Sequence, residues 1–310
     1  MIKLKRRFWL SVGSVLVFAA VGASLVAISK AAFFSVITQA SSGTLSGNAK
    51  LISDAQSSKG QVVRFAAGTT NSKPVSFTSP PSQFTAPLLD NQYVFKFNEW
   101  NSEKPVTMTS DGGANFEIKD SSLDIPTGGA PSGYWEMVKG SSWGASTVNN
   151  GAPFPYLASG VKPGQVTTSA ACHTDGVSGD WNNSYDVWFN GSSTAGQTNN
   201  QAAPYLEMMI WLDHTDGANP IGDVIASNVS LGGNTYDIWF GGDPKSESTV
   251  SYVLSNPSKT YSTDLYPLIQ DSITRGYMPG SWYMLDVEFG FEIWNGGSGL
   301  GCTAFSVDAH

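Results

Sequence analysis

The 310-residue sequence is short of charge: only 14% of its residues are Asp, Glu, Lys or Arg, against about 25% in an ordinary soluble domain. That shortage argues against a helical bundle or coiled coil, whose outer faces need charge. Cysteine (2) and histidine (3) are scarce and scattered, so neither a metal nor a cofactor is expected. Basic residues number 17 against 25 acidic. A nucleic-acid partner is not expected, because phosphate binding needs clustered Lys and Arg. No Gly-x-Ser-x-Gly elbow occurs, which argues against a serine hydrolase of that kind. What is abundant is 33 Gly, 16 Pro, 10 Trp, 11 Tyr and 16 Phe. Many turn formers with many aromatics suit an all-β sandwich and exclude a wholly disordered chain.

Charge is also unevenly placed. Residues 1–40 contain Lys3, Lys5, Arg6, Arg7 and Lys30 and no acid, while the remainder has 12 basic and 25 acidic residues. The first four cations precede an apolar run from Phe8 to about Ile28. That is the pattern of an export signal or membrane anchor, with the rest of the protein secreted or held at the cell surface. The run is long enough to span a bilayer, and small residues at Ala23 and Ala40 suit cleavage, so both outcomes stay open. Contact with a membrane is expected through this segment alone. Outside the cytoplasm Cys172 and Cys302 could pair, but spacing does not decide it.

Residues 41–87 are rich in Ser, Gly, Thr and Pro and read as a linker. Residues 88–310 form the main domain, in which short alternating runs are broken by Gly, Asn, Asp and Ser. One stretch departs from that period. Leu265, Leu268, Ile269 and Ile273 recur at helical spacing, with Thr263 or Asp264 as cap, Pro267 in the first turn and Gly276 at the end. A β-sandwich with one short helix is predicted.

Side chains alternate along a strand. In Leu206–Leu212 one face is purely apolar and the other bears Glu207, Met209 and Trp211. In Tyr283–Trp294 the second face bears Asp286, Glu288, Gly290, Glu292 and Trp294. In Tyr185–Phe189 it bears Asp186 and Trp188. Three strands thus combine carboxylates with tryptophans opposite a clean core face. Sugars suit such a surface, since their CH faces lie on indole and acids take their hydroxyls. The plainer reading is that loops cover these tryptophans. Two carboxylates across a sugar cleft are the minimum equipment for glycoside hydrolysis.

Glu207-Met208-Met209-Ile210-Trp211-Leu212 with Gly217–Gly222 resembles the nucleophile strand of glycoside hydrolase family 12. Phe289-Gly290-Phe291-Glu292-Ile293-Trp294, continuing to Leu300, resembles its acid/base strand. Tyr185–Phe189, Asn98-Glu99-Trp100 and Gly232–Trp239 are similar to three further segments, all in order over roughly residues 90–310. The resemblance implies a jelly roll of two curved antiparallel sheets with an open cleft. It implies a monomeric endo-β-1,4-glucanase that retains anomeric configuration and acts on cellulose-like glucan, mixed-linkage β-glucan or xyloglucan. It makes Glu207 the nucleophile and Glu292 the acid/base, with Asp186 hydrogen-bonded to Glu207. Trp100 would stack on a sugar, and Asn98 and Met209 would line the cleft. Trp188, Trp211 and Trp294, on the same faces, are further substrate-binding candidates.

The sequence departs from the family at Glu99, which alternates away from Asn98 and Trp100 and is read as a rim residue. Glu288 competes with Glu292 for the role of acid. With three carboxyls close together, an acidic activity optimum is expected. The alternative class is a non-catalytic extracellular glucan-binding protein on the same fold, which would not need opposed carboxylates.

Overall fold

The computed structural model describes residues 49–53, 61–65, 73–148, 153–199 and 201–310. The expected signal or anchor segment lies outside these. Among the described residues no helix is long and apolar enough to cross a membrane. The chain divides into two units, residues 1–69 and 70–310. In the first, β1 (Ala49–Ser53) and β2 (Gln61–Phe65) form an antiparallel pair.

The second unit is a sandwich of two sheets. The smaller sheet contains β3 (Val75–Thr78), β6 (Val106–Ser110), β7 (Phe116–Ser121), β11 (Val166–His173), β17 (Thr260–Asp264) and β20 (Gly301–Ala309). The larger contains β4 (Gln83–Leu88), β5 (Tyr93–Glu99), β8 (Gly133–Ser142), β12 (Gly179–Asn190), β13 (Tyr205–His214), β14 (Asp223–Leu231), β15 (Asn234–Gly242), β16 (Glu247–Leu254) and β19 (Asp286–Gly296). Its strand order is β14-β15-β16-β13-β12-β19-β8-β5-β4, and three short strands join it: β9 (Ala145–Ser146), β10 (Tyr156–Leu157) and β18 (Tyr283–Met284).

The inward faces make the core. Phe95, Phe97, Trp135, Tyr185, Phe189, Phe289 and Phe291 are at most 1% exposed. Phe291 meets Phe116 of the opposite sheet edge-on at 5.9 Å, and Phe289 stacks on Phe305 at 5.7 Å. Aromatic burial on this scale is the main stabilising term of the sandwich.

The helix, α1 (Tyr266–Thr274), falls where periodicity places it. Its first turn contains Pro267, and the Asp264 carboxylate accepts the Tyr266 amide at 3.0 Å. Leu265, Leu268 and Ile269 are fully buried. Gly276 then takes φ +80°, which a residue with a side chain rarely adopts.

Two expectations are corrected. The segment read as linker to residue 87 contributes β3 and β4 to the sandwich. Its Ser/Pro content masked an alternation in which Phe77 and Phe84 stack at 4.4 Å and Phe77 meets Phe97. Ser79-Pro80-Pro81-Ser82 is the turn that carries the chain from one sheet to the other. The sheets are also not wholly antiparallel, because β13 and β16 run parallel. The chain leaves β13, makes the β14–β15 hairpin and returns as β16 in the same sense. Cys172 and Cys302 face each other as register partners on β11 and β20, yet both are free. Their thiols donate elsewhere, to the Asn183 side chain and the Ala304 carbonyl.

Replacing Phe289 with Ala should lower unfolding free energy by about 3–5 kcal/mol, the usual cost of an emptied aromatic core site. Trp100→Ala, on the surface, should change it by about 0.5 kcal/mol or less. Urea denaturation of both variants checks this; equal effects would contradict the assigned faces.

Candidate active site

The outer face of the large sheet forms the floor of a cavity of about 440 Å³. Alternation selects its residues: Glu207 from β13, Asp186 and Trp188 from β12, Glu288 and Glu292 from β19, Tyr134 and Glu136 from β8, and Lys96 and Asn98 from β5. Register fixes their relative heights. Trp188 stands opposite Glu207, Asp186 opposite Glu288, and Asn182 opposite Glu292. Tyr134 lies opposite both Glu292 and Asn98. Glu207 and Glu292 therefore project from strands on either side of β12, with Asp186 on the strand between.

The carboxyls have different partners. The Thr249 hydroxyl donates to Glu207 Oε2 at 2.9 Å, and Glu207 also hydrogen-bonds Asp186. Burial pushes Glu207 up to about 7, against the pull of those hydrogen bonds. Glu292 accepts from Asn182 Nδ2 at 2.5 Å. Burial first, and then the charge of Glu207, push it up to about 8. Asp186, 3% exposed, is held well above the usual carboxylate range by burial and by Glu207 and Glu292. It thus keeps a proton to donate to Glu207. A carboxylate beside a carboxylic acid that holds its proton near neutrality is the equipment for nucleophilic attack coupled to proton donation.

Trp100 is 48% exposed at the cavity wall, with Asn98 beside it accepting a hydrogen bond from Gln83 at 3.2 Å. Trp188 also lines the cavity. Trp211 and Trp294, expected as sugar platforms, are only 1% and 3% exposed. They pack with Met209 and Ala218 against Ile125, and the Trp294 indole donates to the Gly129 carbonyl at 2.8 Å. Loops cover them, so neither presents a ring face to a ligand, and Met209 (4% exposed) is likewise withdrawn from the cleft. Glu99 is not a rim residue either: it is 2% exposed, and burial pushes its carboxyl up. Glu288 lines the cavity floor at 1% exposure, whereas Glu292 is half-buried.

Sequence reasoning missed Trp143. It occupies the turn between β8 and β9 at φ +44° and lines the cavity. Its ring meets Trp188 edge-on at 5.7 Å and Tyr205 at 6.3 Å. Strand alternation gives no signal for a turn residue; the one available cue was an aromatic immediately before Gly144.

The comparisons with known proteins agree with this geometry. Residues 91–310 match the profile of Glycosyl hydrolase family 12. Endoglucanase S of Pectobacterium parmentieri is 29% identical over 181 residues, 56% of this chain and 65% of that enzyme. Xyloglucan-specific endo-beta-1,4-glucanase A of Emericella nidulans is 27% identical over 187 residues, 56% of this chain and 72% of that enzyme. Among solved structures, endoglucanase cel12A from Rhodothermus marinus superposes with a TM-score of 0.67 at 29% identity, covering 75% of this chain and 97% of that one. The sandwich, the paired glutamates on its outer face and a profile match across most of the chain lead to one assignment: the protein belongs to glycosyl hydrolase family 12.

Proposed function

We propose that the protein hydrolyses internal β-1,4 bonds of β-glucan by double displacement, with retention of configuration. The observation that carries this reading is the unequal environment of two facing carboxyls, Glu207 with hydrogen-bond donors at its oxygens and Glu292 raised by burial and by Glu207. In the first step a Glu207 oxygen attacks the anomeric carbon while Glu292 gives its proton to the departing glycosidic oxygen. Bonding to sugar removes the charge of Glu207 and with it the repulsion that raised Glu292. Glu292 then takes a proton from water, and that water releases the sugar from Glu207. Retention requires the two carboxyls about 5–5.5 Å apart when substrate is bound.

Exposed Trp100 and the Trp143–Trp188 pair supply aromatic surfaces for pyranose rings, and Asn98 supplies a polar group for hydroxyls. The names of the relatives, endoglucanases and a xyloglucan-specific endoglucanase, support a polymeric β-1,4-glucan as substrate. The basic and apolar start of the sequence supports export, which places the enzyme where such polymers are found.

Full-length protein should release reducing sugar from at least one of carboxymethylcellulose, barley β-glucan and xyloglucan. Glu292→Gln should lose about 10²–10⁴-fold in kcat, the usual contribution of a general acid, and Glu207→Gln should lose more. Azide should rescue Glu292→Ala and yield a β-glycosyl azide, detected by proton NMR. An α-azide, or first-formed α-product from the wild type, would overturn retention.

The structure moves the expected pH range upward. Burial raises the nucleophile as well as the acid, so activity needs Glu207 ionised above about 7 and Glu292 protonated below about 8. A plot of kcat/KM against pH should be a narrow bell near neutrality, rather than the acidic optimum expected from three crowded carboxyls. A maximum below pH 6 would contradict it.

A further inference from the structure

A charged layer lies under the cleft, and the double displacement does not use it. Lys96, Glu136 and Glu288 are 5%, 0% and 1% exposed. The Lys96 ammonium lies 2.7 Å from Glu136 Oε1 and 3.9 Å from Glu288 Oε2, and donates to Ser142 Oγ at 3.1 Å. It is the one cation among the cavity-lining residues. Glu136 and Glu288 stand on the neighbouring strands β8 and β19, and burial first, then the charge of Glu288, push the Glu136 carboxyl well above the usual range. Gly290 makes room for them: a Cβ there would stand 2.8 Å from the Glu136 Cα and 2.9 Å from its Cβ.

These groups are not isolated from the site. The sheet order β13-β12-β19-β8-β5 places Glu207, Asp186, Glu288, Glu136 and Lys96 on five successive strands, all on the cleft side. Each neighbouring pair is linked. Lys96 is bridged to Glu136 and also reaches Glu288, which stands on the strand next to Glu136. Glu288 is the cross-strand partner of Asp186, and Asp186 is hydrogen-bonded to Glu207. The row has a cation at one end and the nucleophile at the other. Buried ion pairs are poor stabilisers, and apolar residues of the same size commonly serve as well or better. Several oxygens in this layer, including Glu288 Oε1, also lack a hydrogen-bond partner. Stability therefore does not account for the row.

We propose that Lys96, Glu136 and Glu288 are positioning residues: they fix negative charge beside Asp186, which keeps Asp186 protonated and so a hydrogen-bond donor to Glu207. The groups facing Asp186 are Glu207 on β13, Glu288 and Glu292 on β19, and Glu136 and Tyr134 on β8. All the carboxyls among them favour retention of its proton, in keeping with its position above the usual range. The inference rests on the reading of Glu207 as nucleophile. All three are buried at the floor of the cavity, so their effect is expected on ionisation rather than on binding.

The test is the pH dependence of kcat/KM in the full-length protein. Glu288→Gln removes charge without changing shape; Asp186 should then give up its proton more readily and cease to donate to Glu207, so the acidic limb should move up by about half a pH unit or more, with KM little changed. Glu136→Gln removes a weaker charge facing Asp186, so its limb should move in the same direction by less. In Glu288→Gln, a limb that moves down, as direct repulsion of Glu207 by Glu288 would produce, or a uniform loss of rate with unmoved limbs, would overturn the relay. Should either variant fail to fold, infrared spectroscopy of the wild type decides. A carboxylic-acid C=O band at pH 7 that disappears in Asp186→Asn supports the relay, and its absence from the wild type refutes it. If wild-type protein cleaves none of the glucans, the functional reading falls, while the infrared result still reports on Asp186.

Discussion

Successive side chains of a strand point to opposite faces of its sheet, and both the stability and the chemistry of this protein depend on that constraint. One face of the large sheet supplies Phe95, Phe97, Tyr185, Phe289 and Phe291 to the core. The other face of the same strands supplies Lys96, Asn98, Asp186, Glu288 and Glu292 to the cleft. A slip of one residue in register would exchange the two sets, burying carboxylates in the core and exposing aromatics. The well-packed interior thus fixes the heights of the catalytic carboxyls, and a site on such strands is more precise than one on loops.

The cost of this arrangement is electrostatic. Asp186, Glu136, Asp286 and Glu288 are each at most 3% exposed, with Glu207 and Glu292 above them. So many buried carboxyls cannot all be ionised beside one ammonium, and shared protons are the physical resolution. Groups whose proton affinity is raised by folding stabilise the fold at low pH and lose that contribution as pH rises through their folded values. For Glu207 and Glu292 that contribution is full below about 4.3, the ordinary glutamate value, and is gone once pH has passed about 7 and about 8 respectively. The window in which the site holds its protons is therefore also the window in which the sandwich is best tolerated.

Alternation made part of this legible in the sequence. It places Glu207, Glu292 and Asp186 on non-core faces, and helical spacing locates α1. What alternation reports is a face, and a face can still be covered. Trp211 and Trp294 have the same pattern as Trp188 but lie beneath loops from residues 125–129 and Ala218, whose paths no local pattern predicts. The sequence of β3 and β4 was obscured by Ser and Pro, although Phe77 and Phe84 alternate correctly within it. Lys96 was visible only as a lone cation on a strand. Its significance comes from strand order, which places β5, β8, β19, β12 and β13 side by side from distant parts of the chain.

The parallel pairing of β13 and β16 has an architectural consequence. Thr249, which hydrogen-bonds the nucleophile, is delivered by a strand that begins only after the β14–β15 hairpin has left the sheet's centre and returned. β14 is the edge of the large sheet, and Ile221, Val224 and Ile225 in and before it are exposed. The hairpin tip, Gly232 and Gly233, lies at the far end of that excursion. Length and sequence can change there without altering the register that aligns Thr249 with Glu207, so the fold separates a variable margin from an invariant centre within one continuous stretch of chain.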